Sequence, residues 1–428
     1  MFFCRLQLRS KLLLVLIGCL ASTMALQASD DHQDDVVPSP EDLNAAIERA
    51  CDLLVANQED YVPDSPVGGF PEAELAKWQE GERSRLQKLR KQAQRKGARE
   101  WPYEGVYRVR GQIPSGYRVG GTAIVCEALL EAPGFDEKRK DAIRRAVRFM
   151  LTMIDQDQGM APRRQTSYDV RGWGQAYALK FFLRSIEVED LLTTRTERQV
   201  KRAIPHLISC LEVGQVNGGG WNYAGRGVSP FMTGSTLIAL FHARDAGFKV
   251  PQKMIDDALG ALERARGESI AYAYSGRLRN EEEPMGGASA RSAIAELCLY
   301  RAGRSDEKKL QAAIDGFFEE KNWQELLKRK SRQGTHKPPY GVAPYYFFFG
   351  HTYAALAVEQ LPEELRGKYR TRMQELLWRT IEKDGGWNDR IFPRTESYST
   401  AMSVLALIAP TLPPVKELKS TEKKAVPL

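Results

Sequence analysis

The sequence predicts an all-α chain, an (α/α)6 toroid of six helix pairs in which an inner ring of helices stands inside an outer ring. Three observations carry this. A unit of about 50–60 residues recurs from Glu41 onward, a period that marks a repeat architecture. Each unit couples an amphipathic helix to a second helix whose body is apolar on nearly every side, the pattern of burial all round. Strand signals, alternating runs bounded by turn residues, are almost lacking.

Arg5, Arg9 and Lys11 precede the short apolar core Leu12 to Ile17 and small residues follow, so residues 1–28 are expected to be a signal peptide. Cleavage after Ala25 or Ala28 fits. So does a lipobox-like run, Leu16-Ile17-Gly18-Cys19, in which Cys19 would carry a lipid. The chain is therefore expected to be exported, periplasmic or extracellular, as a soluble protein or a membrane-anchored lipoprotein. Residues 29–40, acidic and polar with two prolines, read as a flexible linker. Cys51, Cys126, Cys210 and Cys298 each fall among apolar neighbours in a helix with no CxxC pair, which predicts buried thiols.

The toroid is expected over residues 41–411. First helices are placed near Leu43, Ala142, Val200, Ile255, Leu310 and Tyr369. Second helices are placed near Gly121, Gly174, Gly234, Gly287, Phe349 and Ser399, with small residues at their starts that let neighbours approach. In the third unit Val200, Ala203, Ile204, Leu207, Ile208 and Leu211 recur at helical spacing, and Gly247 with Pro251 supplies the stop after the second helix. Residues 73–99 form a highly charged insertion, read as a solvated helical arm or as a docking segment for a protein partner or an anionic surface. Residues 412–428, with Pro413-Pro414, read as a disordered tail.

The run Gln215 to Trp221, QVNGGGW, resembles the QW motif of squalene and oxidosqualene cyclases, and Asp384 to Asp389, DGGWND, resembles a second copy without the Gln. With six helix pairs, the likeness extends over the whole toroid and is to the terpenoid cyclase-like α/α toroids, unit by unit to exported bacterial proteins with prenyltransferase and squalene oxidase repeats. Gln215, Trp221 and Trp387 are read as structural: a Gln can bond orphan backbone groups at helix ends, and a Trp on a glycine-rich turn can cover the joint between units.

The relatives' chemistry does not follow. Asp155-Gln156-Asp157-Gln158 is the nearest string to the cyclases' DxDD motif, and it lacks the paired acids. His351 resembles the zinc-binding His of protein prenyltransferases, but Ala288 and Ala290 stand where the other ligands would be and Cys298 lies further along the helix, so no metal and no cofactor is expected. A thioester string is likewise missing.

Loops ahead of the inner helices should gather at one end of a central cavity, where helix N-termini favour an anion. Arg118, Arg171, Trp173, Tyr223, Arg226, Tyr345, Tyr346, His351 and Tyr398 are the candidate ligand-binding residues, a mixture suited to a sugar, an anionic group or an apolar molecule with a charged head. Asp169, His351 and Glu104 are the candidate catalytic groups. The leading expectation is a toroid that binds an isoprenoid, lipid or glycan in its cavity; the alternatives are a carbohydrate-active lyase or hydrolase and a protein–protein scaffold. The net charge of +7 is modest and lies partly in the leader and the insertion, so no nucleic-acid role is expected.

Overall fold

The computed structural model describes residues 37–60, 97–104, 113–164, 168, 170–223, 227–275, 283–330, 338–343, 345–389 and 394–413. The expectations for residues 1–28, Cys19, Asp169, Arg226, nearly all of the 73–99 insertion and the tail beyond Pro413 lie outside them.

Thirteen helices are described. The outer ones are α1 (Pro40–Ala56), α3 (Glu137–Gln156), α5 (Thr194–Gly214), α7 (Gln252–Ala265), α9 (Glu307–Phe318) and α12 (Glu363–Trp378), and the inner ones are α2 (Ser115–Glu131), α4 (Arg171–Ser185), α6 (Pro230–Asp245), α8 (Met285–Arg301), α11 (Tyr346–Val358) and α13 (Glu396–Leu407). The inner helices touch in the order α2, α4, α6, α8, α11, α13 and close back onto α2, which makes the ring a toroid. One unforeseen short helix, α10 (Glu320–Leu327), follows α9 on the outside and packs on α8. Extended structure among the described residues amounts to a two-residue pair, Glu59–Asp60 with Arg99–Glu100, and an isolated bridge between Arg266 and Tyr272.

The rings differ because their surroundings differ. Outer helices meet water at their starts and four carry side-chain N-caps: Ser39, Asp136, Thr193 and Asp306 each accept from a backbone N–H three residues on. Inner helices start inside the protein without such caps, and α2, α6 and α8 enter on or beside a proline, whose fixed φ suits a first turn. Their close approach depends on missing side chains. A Cβ on Gly174 would lie 2.6 Å from the Gly116 carbonyl oxygen, and one on Gly116 would lie 2.2 Å from that of Val170.

An indole clasp recurs at three joints. Trp101, Trp221 and Trp387 donate Nε1–H to the carbonyls of Leu54, Leu211 and Leu377, each near the end of an outer helix, at 2.6, 2.8 and 2.9 Å. Their backbone N–H groups donate to the hydroxyls of Thr122, Thr233 and Thr400 on the following inner helices, at 3.0, 3.0 and 2.9 Å. Those hydroxyls donate back to the tryptophan carbonyls. An outer helix end, a loop and an inner helix are thereby tied at one buried residue, and the Leu54 and Leu211 carbonyls, which the helix ends orphan, gain a donor; Leu377 O is shared with the Thr380 N–H. Gln215 ties neighbouring outer helices, its Nε2 donating to Met254 O at 2.8 Å, as Gln58 does to Ala142 O at 2.8 Å. Thr233→Val keeps the shape and strands the Trp221 N–H. Denaturant unfolding is expected to show a loss of about 1–3 kcal/mol, with Thr233→Ser much closer to wild type.

Candidate functional site

The barrel has two ends, and the described residues fill one and leave room at the other. At the N-terminal end of the inner helices the aromatic side chains interlock. Tyr103 packs on Tyr398 at 4.5 Å between ring centres and on Tyr117 at 5.2 Å. Trp173 packs on Tyr117 and Tyr177, and Phe231 on Phe349 at 4.4 Å. Among Tyr103, Tyr117, Trp173, Tyr223, Phe231 and Tyr345 the space left is about 10 Å³, enough for roughly one water. Deeper in, the hydroxyls of Tyr177 on α4 and Tyr353 on α11 meet at 2.9 Å. These helices stand opposite each other in the ring, so the pair bridges the axis. Nearer the rim, the Tyr117 and Tyr168 hydroxyls bond, and the Tyr223 and Tyr274 hydroxyls meet at 3.0 Å.

The cationic and polar candidates are engaged by partners outside the aromatic cluster or buried behind it. Arg118 pairs with buried Glu100, its Nε donating at 2.8 Å to a carboxyl whose pKa is raised, first by burial, with the guanidinium pulling it back down. Arg171 is buried and donates to Ala161 O at 3.0 Å, holding the turn after α3. His351 is fully buried behind the aromatic wall. Its Nε2 lies 2.9 Å from Trp323 Nε1 and its Nδ1 2.7 Å from Phe347 O. An indole N–H only donates, so Nε2 is the acceptor and Nδ1 carries the proton, and burial pulls the pKa down to about 4. Cys298 Sγ, by contrast, points to Gly234 O on α6 at 3.4 Å. No group of three or more His, Cys, Asp or Glu among the described residues is placed to hold a metal ion. Tyr345 lines the small void, while Tyr346 and Tyr398 are buried in the cluster, Tyr398 donating to Tyr345 O at 3.3 Å. Glu104 is buried beside Tyr103, its N–H donating to Arg394 O at 3.1 Å.

The opposite end, where the inner helices terminate, holds a recess of about 270 Å³ lined by α2, α4, α6, α8 and α11 together with Leu412 and Pro413. Leu183, Ile238, Leu297 and Leu356 give it aliphatic walls. Charge is balanced around them: Lys180 Nζ lies 2.5 Å from Glu127, Arg184 Nε 2.5 Å from Glu131, and Arg301 Nη2 3.7 Å from Asp245. The cations suit the partial negative charge of converging helix C-termini. Glu127 is near enough to Tyr177 and Tyr353 to disfavour their ionisation, after burial. His242 lines the recess and makes no hydrogen bond among the described residues. Its pKa is pulled down to about 3, by burial first and then by Lys180, Arg301 and Arg184. It therefore offers a neutral imidazole to whatever enters. None of these residues was singled out from the sequence. The visible signal was a base in the last turns of α4, α6 and α8.

No family model matches the chain, and no curated protein matches it. Among solved structures it is similar to a family 76 glycoside hydrolase from a bovine Bacteroides thetaiotaomicron strain, with 13% identity over 86% of this chain and 78% of that one and a TM-score of 0.46. It is also similar to Salmonella alpha-2-macroglobulin reacted with methylamine, with 14% identity over 55% of this chain and a TM-score of 0.34. The chain spans only 16% of that alpha-2-macroglobulin's length. At these values neither neighbour carries residues or chemistry to this chain.

His351 supplies a pH test of the buried wall. In the unfolded chain a histidine takes up a proton near pH 6.5, whereas folded His351 resists until about pH 4. Its contribution is fully present above about 6.5 and drains as pH falls toward 4, by on the order of 3 kcal/mol. Denaturation midpoints across this range should fall less steeply in His351→Gln, whose amide can replace both hydrogen bonds. Equal slopes would remove the assignment.

Proposed function

We propose that this chain is an exported binding toroid whose ligand is an isoprenoid or lipid-like molecule with an apolar body and a hydrogen-bonding head, held in the recess at the C-terminal end of the inner helices. The observation that carries this is the recess itself, about 270 Å³ with aliphatic walls among the described residues. The leucine and isoleucine walls favour aliphatic matter, and His242 with the three ion pairs supplies polar partners at its edge. No anion is favoured there, because each cation already faces a carboxylate and helix C-termini repel negative charge. The chain's departures from the acid and zinc sets of the cyclases and prenyltransferases support binding over those two chemistries. The expected export rests on residues 1–28.

A carbohydrate-active reading is favoured by a different observation. Tyr168 and Tyr223 are half-buried at the N-terminal rim with ring centres 5.8 Å apart, and two acids, Glu104 and Asp389, are buried nearby, Asp389 close enough to Tyr103 and Tyr398 to disfavour their ionisation. Turnover of a polysaccharide that Glu104→Gln and Asp389→Asn both abolish would select this reading. Turnover unaffected by either substitution would discard it.

Farnesol is a suitable probe for the leading reading. Thermal unfolding of the full chain should rise with farnesol, by about 2.7 kcal/mol at a hundredfold excess over Kd, and native mass spectrometry should show one bound molecule. Leu356→Trp, which puts an indole at the recess wall, should abolish both effects with the unliganded midpoint nearly unchanged. Binding that survives this substitution would place the ligand elsewhere, and no binding of farnesol or of co-purifying lipid would overturn the reading.

A further inference from the structure

The largest described cavity is neither end of the barrel. It is a groove of about 740 Å³ on the outer ring, between the C-terminal half of α3 and the N-terminal half of α5. Arg195, Gln199, Arg202 and His206 recur along α5 at helical spacing and so share one face. Arg148, Thr152 and Asp155 line the wall from α3, and Gln156 its end.

Three arginines line this groove, two of them on one face of α5. On other outer helices several arginines are matched by carboxylates: Arg304 with Asp256 at 2.6 Å, Arg370 with Glu359 at 2.6 Å, Arg366 with Glu363 at 2.7 Å. Arg195 and Arg202 are exposed and make no ion pair among the described residues. Arg148 Nε is buried with no hydrogen-bond partner among the described residues, where the guanidinium makes one long bond, Nη2 to Gly97 O at 3.4 Å. Arg144 and Arg145 add to the positive potential that Arg148 feels, which together with burial lowers its pKa. Arg163 and Arg164, just after Pro162 in the lining, are exposed and form no ion pair among the described residues. The opposing charges are Asp155, which is exposed, and Asp157, whose carboxylate is occupied by Ser115 Oγ at 2.9 Å and Gly159 N–H at 2.6 Å. The lining sets three arginines, Arg148, Arg195 and Arg202, against these two carboxylates, an excess of one positive charge to which exposed Arg163 and Arg164 add at its edge.

We propose that this groove binds a strand of acidic polysaccharide, its carboxylates or sulfates on Arg148, Arg195 and Arg202. Unpaired guanidinium groups are the fitting partners for carboxylate and sulfate oxygens. Gln199 adds neutral donors and an acceptor for sugar hydroxyls. Among the described residues the groove is lined by no Phe, Tyr or Trp and by a single imidazole, His206, a poor platform for successive nucleic-acid bases. It is neither a sheet edge nor an apolar trough, the features that capture a peptide strand or helix. This site is separate from the recess and stands or falls without it.

The test is binding of the full chain to dextran sulfate and polygalacturonate at low ionic strength, with neutral dextran and poly-glutamate beside them. Both acidic glycans should bind, dextran should not, and added salt should weaken the complexes. Arg195→Glu with Arg202→Glu should weaken binding by about tenfold or more, while Lys249→Glu with Lys308→Glu, the same change of net charge on other exposed residues, should leave it within about twofold. Circular dichroism of both variants checks the fold, and Arg202→Gln should give an intermediate loss. Equal binding by the groove variant and the control would overturn the proposal, as would failure of either glycan to bind. Poly-glutamate held as tightly as the glycans would overturn the polysaccharide assignment.

Discussion

Most of this architecture depends on one constraint: a helix ending inside protein must find donors for its last carbonyls. Water is unavailable at the joints between outer and inner rings, and an unpaired buried carbonyl is costly. The indole of Trp101, Trp221 or Trp387 supplies the donor, and the threonine at the next inner helix fixes the tryptophan's own backbone. Three parts of a unit are thereby positioned by one side chain. The glycines around Trp221 follow from this, since Gly219 and Gly220 sit at positive φ where the turn bends back toward α6.

Polarity of the inner helices then divides the labour between the ends. At their starts the aromatic residues pack against one another and bury the first turns. At their ends the bases Lys180, Arg184 and Arg301 answer the helix dipoles and are answered in turn by Glu127, Glu131 and Asp245. Aliphatic side chains cannot reach across the ring as tyrosines can, so space survives where Leu183, Ile238 and Leu297 face it.

Much of the fold was legible because both helix types write themselves into the sequence. An amphipathic stripe such as Val200 to Leu211 needs a core on one side, and a body such as that of α6 needs one on all sides. The inner starts were placed a few residues late, at Gly121 and Gly234, because the first turns of α2 and α6 are built from Tyr117 and Phe231, which read as loop residues. Helix α10 was missed: eight residues with Trp323 and Leu326 as its inward anchors leave too short a pattern. The site was far less legible. His351 falls on an inner helix, but only its neighbours Trp323 and Phe347 reveal that both nitrogens are occupied. That a recess remains at the C-terminal end of the inner helices follows from side-chain sizes on five helices at once, which no single stretch of sequence displays.

The bridge between Tyr177 and Tyr353 makes the toroid a closed vessel and not a conduit. A ring of helices invites the idea of a pore, but two hydroxyls joined across the axis seal it midway. Each face can accordingly change its chemistry under selection without disturbing its counterpart.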